Sequence, residues 1–433
     1  MNSLSLISGA FPVGVGVLGA LSLLWLVWGG RRQVLVVVPV AAAFATLLTL
    51  ILYVLAETVF HWWNASLPRL LYVYACAGIL AIILAAARLR DVRAVRVRLL
   101  TLIAAALVMA AVAGATNAAY GQYPTLGSLL FPPAVETSDL PERSPDAAAG
   151  RPDTTEANWV PPEDMPAGGR VYSADIPGTV SDYAANPALI YLPPAYLATP
   201  PAVNLPVLVL IHGQPGGPSD WLIGGQLLEA MDTFAAAHSG LAPVVIMPDA
   251  SNANNKNWPL CLDSTISSSA TYLAVDLPAW VQQHLASGLR GGPQWAVAGY
   301  SYGGTCALQL AANFPAAYPT FIDIAGEAEP SIPQGRDALV QTYFGGNTAA
   351  FTAQNPLDLL QHRSFPDSAG IVVVGADDSV YAPQGRSVSA AARAAGMDVT
   401  LQEVPGAHSW HVWKAGLVDN LDWLGHRLGI LVP

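Results

Sequence analysis

The run QWAVAGYSYGG, residues 294–304, decides the fold. A short unbroken apolar stretch reads as a buried strand. It leads directly into Gly299-Tyr300-Ser301-Tyr302-Gly303, a G-x-S-x-G, and a helical pattern follows over 303–313. So sharp a strand-to-helix turn forces the serine into a strained conformation, and small residues flank it because bulk there would meet neighbouring backbone. The spacing therefore predicts a Ser301 hydroxyl exposed at a helix N-terminus. The pentapeptide alone arises readily by chance in a Gly-rich chain, and its meaning comes from the strand before it and the helix after it.

Outward from this turn, short apolar runs alternate with helical stretches. PVLVLIHG (206–213), APVVIMPDA (242–250), PTFIDIA (319–325), GIVVVG (370–375) and DVTLQEV (398–404) read as further strands, and 271–288, 383–395 and 413–428 as helices. The alternation predicts an α/β domain over 169–433 with a mainly parallel sheet covered by helices.

A serine nucleophile needs a base and an acid, which in this architecture follow it in the order Ser, acid, His. The strand 370–375 leads into Asp377-Asp378; Asp378, at G-x-x-D spacing from Gly375, is preferred as the acid, with Asp377 capping the turn. The strand ending at Val404 leads into Pro-Gly-Ala-His408-Ser-Trp-His411. His408 is the preferred base, because His411 starts the last helix. Two backbone amides are placed to bind a developing oxyanion, that of Tyr302 and that of Gln214 in the loop after strand 206–213. His212 reads as structural, and Pro215, Gly216 and Gly217 leave room for a substrate. Trp258, Trp410 and Trp413, near the same edge, either line an apolar acyl site or simply pack. Cys306, five residues past Ser301, is either a small apolar residue or the partner of Cys261 in a disulfide pinning the insertion 252–269 beside the site. No metal-ligand spacing and no phosphate-cradling loop is present, so neither metal nor cofactor is expected.

The first 120 residues differ in kind. Apolar runs at about 4–28, 34–56, 70–87 and 99–117 are long enough to cross a bilayer, which predicts four transmembrane helices. A cleaved signal peptide is the competing reading of the first run, but no Lys or Arg precedes Arg31. Arg31 and Arg32 follow the first span, and Arg88, Arg90, Arg93, Arg96 and Arg98 follow the third, while the loop between spans two and three holds only Arg69. The positive-inside rule puts the Arg-rich loops in the cytoplasm, which leaves both ends of the bundle, and everything after it, outside the plasma membrane. Trp62 and Trp63 suit an interfacial belt, and Glu57 and His61 read as solvated at a span end. Residues 121–168, rich in Pro, Ala and acids, read as an extended extracytoplasmic spacer, with packing of part of it against the folded domain as the alternative.

Charge supports this division. Only 11% of the 433 residues are charged, against about 25% in soluble proteins. After residue 120 the chain is strongly acidic and holds the only two lysines, Lys256 and Lys414, which excludes nucleic acid as a partner. A transporter is disfavoured for want of ionisable residues at mid-span, and a non-catalytic binding module by the intact Ser, acid, His order.

Together, the HGQPGG loop with Asp220-Trp221, the MPDA strand end, YLAVDLPAW with Asp276, GYSYGG, Phe314-Pro315, GADD and GAHSW resemble the esterase-D-like branch of α/β-hydrolases. That branch contains S-formylglutathione hydrolases, feruloyl esterases and mycolyltransferases. Tyr302 stands where a Met is common, and Asp276 where a Glu is. The N-terminal region looks like that of membrane-bound esterases of high-GC actinobacteria. The resemblance implies an α/β-hydrolase domain whose Ser301 forms an acyl-enzyme, hydrolysing a small-molecule or lipid ester in the cell envelope or passing the acyl group to a sugar or lipid hydroxyl.

Overall fold

The strands that carry the site lie in one eight-stranded sheet of β1 (Arg170–Ala174), β2 (Ala188–Leu192), β3 (Val207–Ile211), β4 (Val244–Met247), β5 (Trp295–Tyr300), β6 (Thr320–Ile324), β7 (Ala369–Gly375) and β8 (Asp398–Val404). Their spatial order is β1-β2-β4-β3-β5-β6-β7-β8, with β1 and β2 antiparallel and every pairing from β4 to β8 parallel. The computed structural model describes residues 3–60, 67–136, 138–251 and 258–432, and the chain divides into two units, Met1–Phe131 and Pro132–Pro433.

In the second unit β3 to β7 are buried at every residue, because helices cover both faces of a parallel sheet, and that is why β3, β4, β5 and β7 read as unbroken apolar runs, while β6 carries a buried Thr320 and Asp323. β8, at the edge, is exposed at intervals. The antiparallel pair β1 and β2 extends the sheet beyond the expected six strands. Its first member, Arg-Val-Tyr-Ser-Ala, carries too little apolar pattern to be told from loop. The helix expected over 413–428 is two, Trp410–Val418 and Leu421–Arg427, and Leu227–Ala237, Arg336–Phe344 and Pro356–His362 are additional helices.

The segment read as a spacer is divided between the units. Leu126–Leu130 is a short helix of the first. Residues 132–168 lie along the second, where the Glu136 amide donates to Val171 O, that of Arg143 to His284 O, that of Thr154 to Val203 O and that of Glu156 to Ile430 O. Trp159 Nε1 donates to Ser239 O at 2.9 Å. A chain without apolar periodicity thus still satisfies its backbone groups by lying on a folded surface.

Among the described residues the first unit holds four helices long and apolar enough to cross a membrane: α1 (Ala10–Val27), α2 (Val38–Val54, prolonged at both ends by π turns to span 33–59), α3 (Arg69–Asp91) and α4 (Val95–Tyr120). Small residues let the helices approach: a side chain at Gly19 of α1 would overlap Ala111 of α4. Its outward face is apolar, with Val13, Leu24 and Leu35 each more than 60% exposed, the inverse of a bundle built for water. Leu6 N donates to Pro124 O and Leu126 N to Leu4 O, so the chain start and the segment after α4 meet at one end of the bundle. Glu57 is held internally, accepting from Tyr72 Oη at 2.5 Å and Leu67 N at 3.1 Å, where the sequence suggested simple solvation. His61, Trp62 and Trp63 lie outside the described residues.

Candidate active site

The turn after β5 shows why its sequence is Gly-x-Ser-x-Gly. Ser301 sits at φ +54° and ψ −122°, left-handed backbone that costs a residue with a Cβ about 1–3 kcal/mol. A side chain at Gly299 would overlap the Gly303 backbone, and one at Gly303 would overlap the Ile211 and His212 carbonyls of the neighbouring strand end. The Ser301 amide donates to Ile324 O at 2.8 Å, tying the turn to β6. Tyr302–Asn313 is the helix that follows, and its first amides project from its N-terminus without intrahelical partners.

Three expected residues meet here from the C-terminal ends of β5, β7 and β8. His408 Nε2 lies 2.8 Å from Ser301 Oγ, and His408 Nδ1 lies 3.2 Å from Asp378 Oδ2. The other oxygen, Asp378 Oδ1, accepts from the amides of Val380 at 3.0 Å and Tyr381 at 2.9 Å. Burial pulls the Asp378 carboxyl up, but the hydrogen bonds from His408 and these amides outweigh it and hold the group below the usual carboxylate range. An ionised Asp378 only accepts, so the hydrogen of the His408–Asp378 contact sits on Nδ1, and Nε2 is the ring nitrogen that faces Ser301.

The alternatives left open in the sequence occupy other places. Asp377 is exposed, and its amide donates to Gly406 O at 2.9 Å. His411 is exposed on the helix Trp410–Val418. His212 is fully buried, its Nδ1 2.8 Å from Gly213 O and its Nε2 accepting from the Ala250 amide at 3.3 Å, so it braces two strand ends.

Gln214 lies half-buried in the loop after β3. The Tyr302 side chain is buried and donates its hydroxyl to Ala250 O at 3.2 Å. Cys261 and Cys306 form a disulfide, with Cα atoms 5.4 Å apart. It fastens the segment around Leu260 to the elbow helix, where Gln309 Nε2 also donates to Leu260 O. The other six residues of the insertion, 252–257, lie outside the described residues. Trp410 and Trp413 are buried and packed on Tyr300, whereas Trp258 is half-buried, 5.5 Å from the Tyr302 ring. Of the three tryptophans, Trp258 is the one with surface left to offer. Asp276 is structural: its carboxylate accepts from Thr179 Oγ1, Val180 N and both Ser181 donors.

One residue of this site carried no signal in the sequence. Tyr381 stacks flat on His408, ring centroids 3.9 Å apart and 13° from parallel, while Trp413 meets the same imidazole edge-on at 5.0 Å. The two aromatics fix the plane in which Nε2 can reach Ser301. Among the described residues, no group of three His, Cys, Asp or Glu side chains is placed to hold a metal ion.

The family described as "Putative esterase" matches residues 186–424, more than half of the chain. The chain belongs to this esterase family. It is an enzyme of carboxylic ester chemistry, a hydrolase or an acyltransferase. It is also 33% identical over 370 residues to an uncharacterized protein of Corynebacterium glutamicum, a match covering 83% of each chain. That share exceeds what the second unit alone can supply, so the likeness reaches into the membrane-type helices. Among solved structures, a ferulic acid esterase aligns with a TM-score of 0.52 at 17% identity, covering 61% of this chain and 100% of its own. An S-formylglutathione hydrolase from Agrobacterium tumefaciens aligns with a TM-score of 0.50 at 22% identity, covering 61% and 98%. At such identities the likeness is one of fold: the second unit of this esterase-family chain has the α/β-hydrolase fold.

Proposed function

We propose that the protein is a membrane-anchored serine esterase whose catalytic unit faces the extracytoplasmic side and acts on acyl esters of envelope lipids or glycolipids. The observation that carries this reading is the unbroken hydrogen-bonded chain Ser301, His408, Asp378 at a strained elbow. Ser301 Oγ attacks the ester carbonyl while its proton passes to His408 Nε2, and the imidazolium is stabilised by ionised Asp378. The amides of Tyr302 and Gln214 receive the negative charge developing on the carbonyl oxygen. Collapse of the tetrahedral intermediate expels the alkoxide, which takes the proton from His408 and leaves an acyl-enzyme. Water, or a sugar or lipid hydroxyl in an acyl transfer, then repeats the sequence in reverse, with His408 again accepting the proton. The extracytoplasmic side is supported by the Arg-rich loops after the first and third spans and by the Cys261–Cys306 disulfide, a bond that persists in oxidising compartments.

A membrane-impermeant fluorophosphonate tests nucleophile and side together. It should label wild-type protein in intact spheroplasts, label Ser301→Ala not at all, and label no more protein after lysis. Purified wild type should turn over p-nitrophenyl esters, and Ser301→Ala should lose that turnover. An added alcohol that captures the acyl group in preference to water would mark an acyltransferase. Absence of Ser301-dependent labelling in folded protein would refute the serine mechanism. Labelling seen only after lysis would reverse the orientation.

A further inference from the structure

Tyr300, the residue before the nucleophile, packs against the loop after β3 and against the aromatic cluster that reaches His408. Its ring lies under Gly213, where any side chain would overlap it. The ring stacks on Trp413 at 4.5 Å and 27°, leans on Trp410 at 4.6 Å, and meets Trp221 edge-on at 5.2 Å. Trp413 in turn packs edge-on against His408. The Tyr300 hydroxyl lies 3.5 Å from Asp220 Oδ2, the same oxygen that accepts from the Gly217 amide at 2.9 Å. Asp220 N donates to Gly217 O, and Gly216 must lack a side chain because Asp220 Oδ2 fills that space. The turn 213–217 is thus gripped at both ends, by an aromatic ring under Gly213 and a carboxylate at Gly217.

This turn contains Gln214, and three of its five residues are glycine. An oxyanion donor acts only when held about 2.7–3.1 Å from the oxygen that becomes charged. A glycine-rich turn has few side chains with which to hold itself there. We propose that Tyr300, together with Asp220, is a positioning residue that fixes the 213–217 turn, and with it the Gln214 amide, at oxyanion distance from Ser301. The inference rests on the serine esterase reading above. Burial first, and then the Asp220 charge, push the Tyr300 phenol far above its ordinary range, so the hydroxyl stays protonated and able to donate to Asp220. The stack on Trp413 adds a second consequence: oxyanion turn and base are braced by one aromatic cluster.

The test compares Asp220→Ala, Asp220→Asn and Tyr300→Phe with wild type in kcat, KM and the Ki of a trifluoromethyl ketone, which adds to Ser301 and places an oxyanion in the hole. Asp220→Ala should lower kcat about 10- to 100-fold with KM within about threefold, and raise Ki by the same factor as kcat falls. Tyr300→Phe, which keeps the stack and loses the hydroxyl, should show a smaller loss of about 3- to 10-fold in the same two quantities. Asp220→Asn retains an acceptor for the Gly217 amide and should recover most of the activity. Should Asp220→Ala fail to fold, Tyr300→Phe decides alone. Unchanged kcat and Ki in Tyr300→Phe, or a fall in kcat with Ki unmoved, overturns the positioning role. Failure of the parent reading is distinct, since it would show as turnover that survives Ser301→Ala.

Discussion

Asp378→Asn is expected to lower kcat by about 10³- to 10⁴-fold, with little change in KM, while Asp377→Asn leaves both within about twofold. The argument is one of tautomers. The substituted amide would still accept from the Val380 and Tyr381 amides through the oxygen that replaces Oδ1 of Asp378. Its NH2 group would then face His408 Nδ1 in place of Oδ2. Two donors cannot face each other, so the imidazole takes the form with hydrogen on Nε2, which cannot accept the Ser301 proton. The imidazolium formed during attack also loses its counter-charge. Asp377, exposed and joined to the site through its backbone amide alone, offers no such lever. Steady-state kinetics on a p-nitrophenyl ester measure the difference, and equal losses in the two variants would break the assignment of Asp378 as the acid.

This contrast marks where the sequence was legible. The buried parallel strands announce themselves because both faces are covered and nearly every residue is apolar, Thr320 and Asp323 of β6 being the exceptions, and the elbow because its glycines are sterically required. Chain order then reaches His408. Between Asp377 and Asp378, spacing gave only a preference, since what separates them is burial and the direction of hydrogen bonds. Contacts between distant segments that no motif joins were hidden. Asp220 and Tyr300 are 80 residues apart, and nothing near either one reveals the other. Residues 132–168 are only partly legible for a related reason: composition reports what a segment cannot bury, and says nothing of which backbone groups pair with a surface made elsewhere in the chain.

Asp323→Asn should invert its effect on stability with pH, being less stable than wild type near pH 4 and more stable at pH 8. Asp323 lies in β6, fully buried, where Oδ1 accepts from the Gly326 amide at 2.9 Å and Oδ2 has no hydrogen-bond partner among the described residues. Burial pushes its pKa up to about 7, against the single lowering influence of that amide. A carboxyl whose folded pKa exceeds its unfolded value holds more protons when folded, so the fold loses stability as pH rises from about 4 to about 7 and no further above that. The accumulated cost is at most about 4 kcal/mol. Asparagine removes this pH dependence and keeps the acceptor for Gly326, but buries an unpaired NH2 at a cost of about 1–3 kcal/mol. The two costs cross near pH 5 to 6, leaving the variant ahead by about 2 kcal/mol at pH 8, or roughly 5 °C in midpoint. Asp249, Asp276 and Asp378, whose hydrogen bonds hold them below their ordinary range, contribute the opposite slope, stability lost on acidification, but they do so equally in both proteins. Detergent-solubilised protein heated at each pH, then labelled at one common pH through Ser301, gives the midpoints. A difference between variant and wild type that does not vary with pH would mean that Asp323 keeps one protonation state throughout. A crossing would show that the space beside the elbow, where Gly304 can carry no side chain because Asp323 fills it, holds a neutral acid below pH 7 and a buried charge above it.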